Sequence, residues 1–167
     1  MNNTNNISLY YNNLIDKTKL PENCVIFYCN RYNIDKLPIL NDYLEILDCS
    51  NNILQYLPVN LPYFLTELIC SYNKIIELPE LPYLIRKLWC NNNLLSYLPF
   101  LHNGMKYLYC NNNKITELPE LPKLKSLWCQ NNNIKFISSY NYEIIKNIEY
   151  PLLHGNPVYS TYINCNI

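Results

Sequence analysis

Residues 65–79 read LTELICSYNKIIELP, and this segment decides the fold. Around its centre, Leu68 and Cys70 alternate with Glu67, Ile69 and Ser71. A period of two over such a short stretch indicates a β-strand that turns one face toward a core. The whole segment can be written as the frame L-x-x-L-x-C-x-x-N-x-L-x-x-L-P, in which Leu and Ile substitute for each other.

The frame recurs along the chain at a regular interval. Five successive units keep it at six positions each, with Leu, Ile or Met at the aliphatic positions. The cysteines are 20, 21, 20, 20 and 19 residues apart and are Cys29, Cys49, Cys70, Cys90, Cys110 and Cys129. Self-similarity at a period near 20 residues is typical of a solenoid.

A unit of this length cannot bury its apolar face alone, so successive units must stack. Stacking predicts a parallel sheet with strands about 4.8 Å apart and internal columns of leucine and cysteine. The asparagine of each frame follows the strand, where the chain bends and leaves backbone groups for its amide to satisfy. We therefore predict a structural ladder of Asn52, Asn73, Asn93, Asn113 and Asn132.

The tails of the units are rich in proline, as in residues 78–82 and 118–122, which both read LPELP. Each proline lacks an N–H donor and biases the preceding residue to extended geometry, so these tails cannot be helix interiors. The predicted fold is a repeat solenoid with a concave parallel β-sheet, an extended or polyproline-like convex side and little helix.

The frame resembles the leucine-rich repeat, and its short Leu-Pro-x-Leu-Pro form is similar to that of bacterial effectors. Similar repeats occur in proteins of giant amoebal viruses. The resemblance covers residues 24–137, which we expect to hold about six units. It implies a protein-binding scaffold. Some effectors carry a ubiquitin-ligase domain beside these repeats, but here the repeats occupy nearly the whole chain, so no ligase activity is carried over.

Both ends deviate from the frame, as expected for units that face water on one side. Residues 1–23 form an N-terminal cap or a degenerate repeat. Residues 138–167 contain isoleucines at helix-like spacing and then HGNP at positions 154–157, so a distorted repeat and a C-terminal cap are both open.

Composition limits the kinds of partner and the cellular location that we expect. Lys plus Arg and Asp plus Glu number 13 each, which gives no net attraction to nucleic acid or to anionic lipid. The N-terminus lacks the apolar run of a signal peptide, and no later stretch could span a bilayer. We therefore expect a cytoplasmic protein, in the producing or infected cell, with neither nucleic acid nor membrane as a partner.

The cysteines, glutamates and histidines do not have the spacing of metal or catalytic sites. The cysteine column occupies core positions and lacks the paired Cys-x-x-Cys spacing of zinc sites, and rung-to-rung thiols are too far apart for disulfides. Only Cys165, in the tail, is a candidate reactive thiol. The recurring glutamates are best interpreted as a solvated face, and neither histidine has a catalytic partner at motif spacing; these residues are Glu77, Glu80, Glu117, Glu120, His102 and His154. We expect no catalytic residues, no metal and no cofactor.

One outward column of the predicted sheet is enriched in large aromatics. Trp89, Tyr109 and Trp128 lie between the core leucine and cysteine of three consecutive units. An exposed apolar stripe usually marks a contact surface. The predicted partner-binding residues are Tyr28, Ile69, Lys87, Trp89, Tyr107, Tyr109 and Trp128.

Other interpretations of this column stay open. The aromatics could serve only to stabilise neighbouring strands by packing on each other. A carbohydrate or small-ligand platform and a self-associating structural protein are the alternatives to a protein-binding scaffold. The partner is unidentified, a host protein is among the candidates, and the sequence does not define the oligomeric state.

Overall fold

The computed structural model describes residues 6–14 and 16–160 of the chain. Seven short parallel strands form a single sheet in chain order. They are β1 (Ile7–Tyr10), β2 (Cys24–Tyr28), β3 (Ile46–Asp48), β4 (Glu67–Ile69), β5 (Lys87–Trp89), β6 (Tyr107–Tyr109) and β7 (Ser126–Trp128). The chain coils as a solenoid in which each turn adds one strand, as the sequence predicts.

The core consists of columns that run perpendicular to the strands. Phe27 of β2 and the central residue of each strand from β3 to β7 are completely buried, and these six residues are partners in register from strand to strand. The six frame cysteines form a second column, and none of their surface is exposed. Since no unit encloses these columns by itself, burial comes from stacking one turn on the next.

The proline-containing tails carry neither helix nor strand, for example over residues 77–82 and 117–122. This agrees with the expectation of little helix. The α-helix α1 (Ser139–Ile145) follows the last frame, where Ser138 accepts a hydrogen bond from the N–H of Asn141 at 3.1 Å. Its Ile145 is buried, which attaches the helix to the end of the core.

Both end segments contact the sheet. Strand β1 pairs in parallel with β2, with a register irregularity between Ile7 and Ser8. At the other end, Leu152 forms an isolated parallel bridge with Trp128. The unit boundaries at residues 23 and 137 stay a prediction.

Candidate functional site

The outward column predicted from the sequence is continuous in the sheet. Backbone register pairs Trp89 with Tyr109 and Tyr109 with Trp128. The column extends toward the N-terminus through Ile69, Asp48, Tyr28 and Tyr10. We refer to the solvent-facing side of β2–β7 as the sheet face.

Trp89, Tyr109 and Trp128 form one stack, hereafter the aromatic stack. Ring centroids are 5.5 Å apart between Trp89 and Tyr109 and 4.5 Å apart between Tyr109 and Trp128, with interplanar angles of 26° and 24°. Both faces of the Tyr109 ring are therefore covered by its neighbours. The two tryptophans are 37% and 40% exposed.

The predicted binding residues fall into two groups. Lys87 and Tyr107 lie two positions before the stack residues on β5 and β6, and the Lys87 Nζ is 5.9 Å from the Tyr107 ring centroid. Lys87 also forms a salt bridge with Glu67 at 2.6 Å. Tyr28 lies toward the N-terminal end of the column, separated from Trp89 by two strands.

Sequence reasoning missed Tyr10 as a member of the outward column. Its ring stacks on Tyr28 with centroids 5.0 Å apart, and the side chain is 52% exposed. The Leu9-Tyr10 pair repeats the Phe27-Tyr28 pair, but β1 lacks the frame cysteine that would have identified it. Asp48 interrupts the column, and its carboxylate accepts from the N–H and hydroxyl of Ser50 at 3.0 and 2.7 Å.

The five predicted ladder asparagines occupy equivalent positions behind the strands. The Nδ2 of Asn93 donates to the carbonyl oxygens of Cys70 and Cys90 at 3.0 and 3.1 Å. Its Oδ1 accepts from the N–H of Ile75 at 3.0 Å. Each ladder side chain makes the same three bonds, two to cysteine carbonyls and one from a backbone N–H of the preceding turn.

Asn156 continues this ladder, although sequence reasoning did not assign it. Its Nδ2 donates to the carbonyl oxygens of Cys129 and Leu153 at 2.9 and 2.8 Å, and its Oδ1 accepts from Ile134 N–H at 3.1 Å. The signal was present, because Leu153 precedes Asn156 by the same three positions that separate each frame cysteine from its asparagine. A longer connection and the replacement of cysteine by leucine concealed it.

The residue before each ladder asparagine has left-handed backbone geometry. The φ angles are 57° at Asn92 and 56° at Tyr72, and the other positions are similar. Asparagine tolerates this region better than most residues, and glycine tolerates it best. The column comprises Asn51, Tyr72, Asn92, Asn112, Asn131 and Gly155.

A column of amides lies on the other side of the aromatic stack. The Ser71 hydroxyl donates to Oδ1 of Asn91 at 2.5 Å. On the next two turns, the buried Oδ1 of Asn111 and Oε1 of Gln130 have no hydrogen-bond partner among the described residues. Polar atoms of this kind are scarce in folded proteins.

The burial of the cysteines indicates that they have a structural role in the core. The seven described cysteines are free and buried, and Cys165 lies outside the described residues. Burial raises the pKa of the thiols of Cys29, Cys70 and Cys129 to about 12. These thiols are therefore protonated and unreactive at neutral pH.

Residues 6–14 and 16–160 contain no group of three or more side chains suited to hold a metal ion. Across the same described part of the chain, no helix has the length and apolarity that a membrane span requires.

Glu77 accepts a hydrogen bond from the Tyr97 hydroxyl at 3.0 Å, and the Nε2 of His102 lies 2.9 Å from the carbonyl oxygen of Leu81.

Comparison with known proteins identifies the repeats. The model of the leucine rich repeat family, which spans two copies, matches residues 103–142. The structure is similar to the leucine-rich-repeat domain of a Shigella effector, with 31% identity and a TM-score of 0.69 over 76% of this chain and 56% of that chain. No curated protein matches the chain.

Two Yersinia structures are also similar. YopM, a leucine-rich effector protein from Yersinia pestis, is 29% identical with a TM-score of 0.75, over 83% of this chain and 39% of that one. YopM from Yersinia enterocolitica is 27% identical with a TM-score of 0.63, over 83% of this chain and 34% of that one. The chain thus spans 34% to 56% of the length of these effector chains. The expected likeness to giant-virus proteins stays a prediction.

Proposed function

Because the chain is a leucine-rich-repeat protein, we propose that it is a binding scaffold that holds a protein partner on its concave sheet. The aromatic stack is the observation that carries this proposal. Two half-exposed tryptophans on one small surface are unusual for a face that meets only water. Trp and Tyr are also the residues most enriched among the energetic centres of protein interfaces. The proposal assigns no catalytic step to the chain.

The geometry of the aromatic stack favours a protein over a sugar as the partner. A carbohydrate platform offers a free ring face, whereas the Tyr109 ring is covered on both faces by Trp89 and Trp128. Ring edges and the neighbouring amides suit the mixed apolar and polar contacts of a protein surface. The half-buried Tyr107 and Lys87 extend this surface toward the strand starts.

Replacement of Trp89, Tyr109 and Trp128 together by alanine is expected to abolish partner binding while leaving the solenoid folded. All three side chains point away from the core, so their removal leaves the core columns intact. Each of the two lost ring contacts lowers the free energy of unfolding by about 0.2–1 kcal/mol. Affinity purification from the native cell with wild type identifies the partner, and purified partner is then titrated against both proteins. Circular dichroism melts verify the fold.

A matched control replaces three exposed aromatics that lie off the sheet, Tyr56, Tyr83 and Phe136. This variant removes as many rings from the surface but leaves the aromatic stack intact. A folded stack variant that binds the partner with unchanged affinity would refute the proposal. Loss of binding in the control alone would transfer the site to the outer side of the solenoid.

A further inference from the structure

We infer that the partner contributes an acidic, extended segment whose carboxylates lie along a column of cations beside the aromatic stack; this inference rests on the proposed function. The cation column consists of Arg86, Lys106 and Lys125. Each of these residues directly precedes Lys87, Tyr107 or Ser126, the first residue of its strand. The three therefore lie along one edge of the sheet, where the chain enters β5, β6 and β7.

Backbone hydrogen bonds keep the cation column in register. Lys106 N–H donates to the carbonyl oxygen of Arg86 at 2.8 Å, and Lys125 N–H donates to that of Lys106 at 2.7 Å. The column covers the same three turns as the aromatic stack. At about 4.8 Å per turn, its first and last members are separated by about 10 Å along the sheet.

The cations are available to an outside partner. Arg86 and Lys125 are exposed and Lys106 is half-buried. None of the three forms a salt bridge within the described ranges, whereas the neighbouring Lys87 is paired with Glu67. Three unpaired cations within about one Debye length repel each other, and an anionic ligand removes this repulsion.

Acidic residues lie at β3, two turns before the first member of the cation column. Glu45 occupies the same column two turns earlier, and Asp48 interrupts the outward column on β3. Arg86, Lys106 and Lys125 therefore lie at the starts of β5, β6 and β7, whereas Glu45 and Asp48 lie at the two ends of β3. This polarity orients an acidic segment along β5, β6 and β7 and disfavours its extension over β3.

An acidic protein segment fits this surface better than a single-stranded nucleic acid. Phosphates would also suit the cations, but single strands bind largely by stacking bases on free aromatic faces. In the aromatic stack, neighbouring rings occupy both faces of Tyr109 and one face of each tryptophan. An extended peptide can instead place carboxylates on the cation column and apolar side chains on the ring edges.

The test is a selection of displayed random peptides, each about 12 residues long, on the immobilised full chain. Selected sequences are expected to be enriched in Asp and Glu together with apolar residues. Synthetic copies should bind at least about tenfold more weakly to the Lys106→Glu, Lys125→Glu variant and more weakly at higher salt. The milder Lys106→Gln, Lys125→Gln variant should lie between the two.

The matched control is Lys114→Glu with Lys135→Glu. It changes the net charge equally, but both lysines are exposed and follow the ladder asparagines Asn113 and Asn132 instead of preceding a strand. Its affinity for the selected peptides should equal that of wild type. Equal losses in the two charge-reversal variants would overturn the inference, because the effect would then come from net charge alone.

Other outcomes separate this inference from the proposed function. Selected peptides without acidic enrichment that lose binding when Trp89, Tyr109 and Trp128 are replaced would overturn the acidic partner and leave the sheet face as the site. Selected peptides that are insensitive to all sheet-face variants would overturn both. Preferential binding of oligothymidylate, measured by fluorescence anisotropy, would overturn the peptide class.

Discussion

At the residue scale, each ladder asparagine forms hydrogen bonds to backbone groups at a bend that has no regular secondary structure. After β5 the chain bends, and the carbonyl groups of Cys70 and Cys90 point toward the Asn93 amide. No other common side chain of this size offers two donors and an acceptor together. The ladder thus makes the bend compatible with burial of the chain between adjacent turns.

Asn93→Ala is expected to lower the free energy of unfolding by about 1–3 kcal/mol, because the buried Ile75 N–H loses its partner and the carbonyl oxygens of Cys70 and Cys90 each lose one of two amide donors. Asn92→Gly is the matched control. Asn92 is half-buried and its φ is 57°, which glycine adopts freely. Asn92→Ala would add backbone strain, so its stability change could not be compared directly with that of Asn93→Ala. Urea denaturation of the three proteins measures both effects, and equal midpoint shifts would contradict the ladder.

Tyr72→Asn is expected to stabilise the protein by about 0.5–1 kcal/mol. Tyr72 adopts a φ of 56°, which is unfavourable for a side chain of its size, and it is 55% exposed. Four equivalent positions already hold asparagine. Tyr43→Asn, at a position that is 60% exposed and without positive φ, controls for the change in composition. A lower thermal midpoint for Tyr72→Asn would show that the ring makes stabilising contacts that outweigh the strain.

At the scale of the strand, alternation separates scaffold from surface within three residues. On β6, Leu108 is completely buried while Tyr107 and Tyr109 on either side are half-exposed. A shift of the register by one residue would exchange these roles along the whole sheet. The strands are therefore short but strongly specified.

Leu108→Ala is expected to cost about 2–5 kcal/mol, since it empties a position in the central core column. Tyr109→Ala should cost less than about 2 kcal/mol, because it removes two ring contacts on the solvent-facing side of the sheet and empties no core position. Chemical denaturation compares the two variants. If Tyr109→Ala proved the more costly, the ring stack would be a main source of stability and its role as a free surface would be in doubt.

At the scale of the whole molecule, the buried thiols make the free energy of unfolding decrease as the pH becomes alkaline. The folded chain holds the pKa of Cys70 and Cys129 at about 12, against an ordinary value of 9.0. Below pH 9 both states keep the protons and no effect is expected. As the pH rises from 9 to 12 the unfolded chain loses protons that the folded chain keeps, so stability falls.

The expected loss is about 1.4 kcal/mol per buried thiol for each pH unit above the unfolded pKa. Urea midpoints measured from about pH 8 to about pH 10 determine this slope. Cys70→Val should give a shallower slope, because one fewer thiol ionises on unfolding. Stability that is constant over this window would contradict burial of the thiols in the core.

The sequence by itself determined the solenoid, the inward columns and the position of the ladder asparagines. A unit of about 20 residues with one apolar strand face has few alternatives to stacking, so six matching positions fix the register of the strand and the bend. The outward position of Trp89, Tyr109 and Trp128 follows from the same alternation.

Tertiary structure alone decided how the ends join and how the surface groups meet. Tyr10 and Asn156 extend the outward column and the ladder, but irregular connections precede them and hide their register in the sequence. Likewise, covered ring faces in the aromatic stack and the unpaired cation column depend on contacts between residues about 20 positions apart. Sequence periodicity specifies which residues share a column, whereas rotamers and neighbouring turns determine which ring faces and charges remain free.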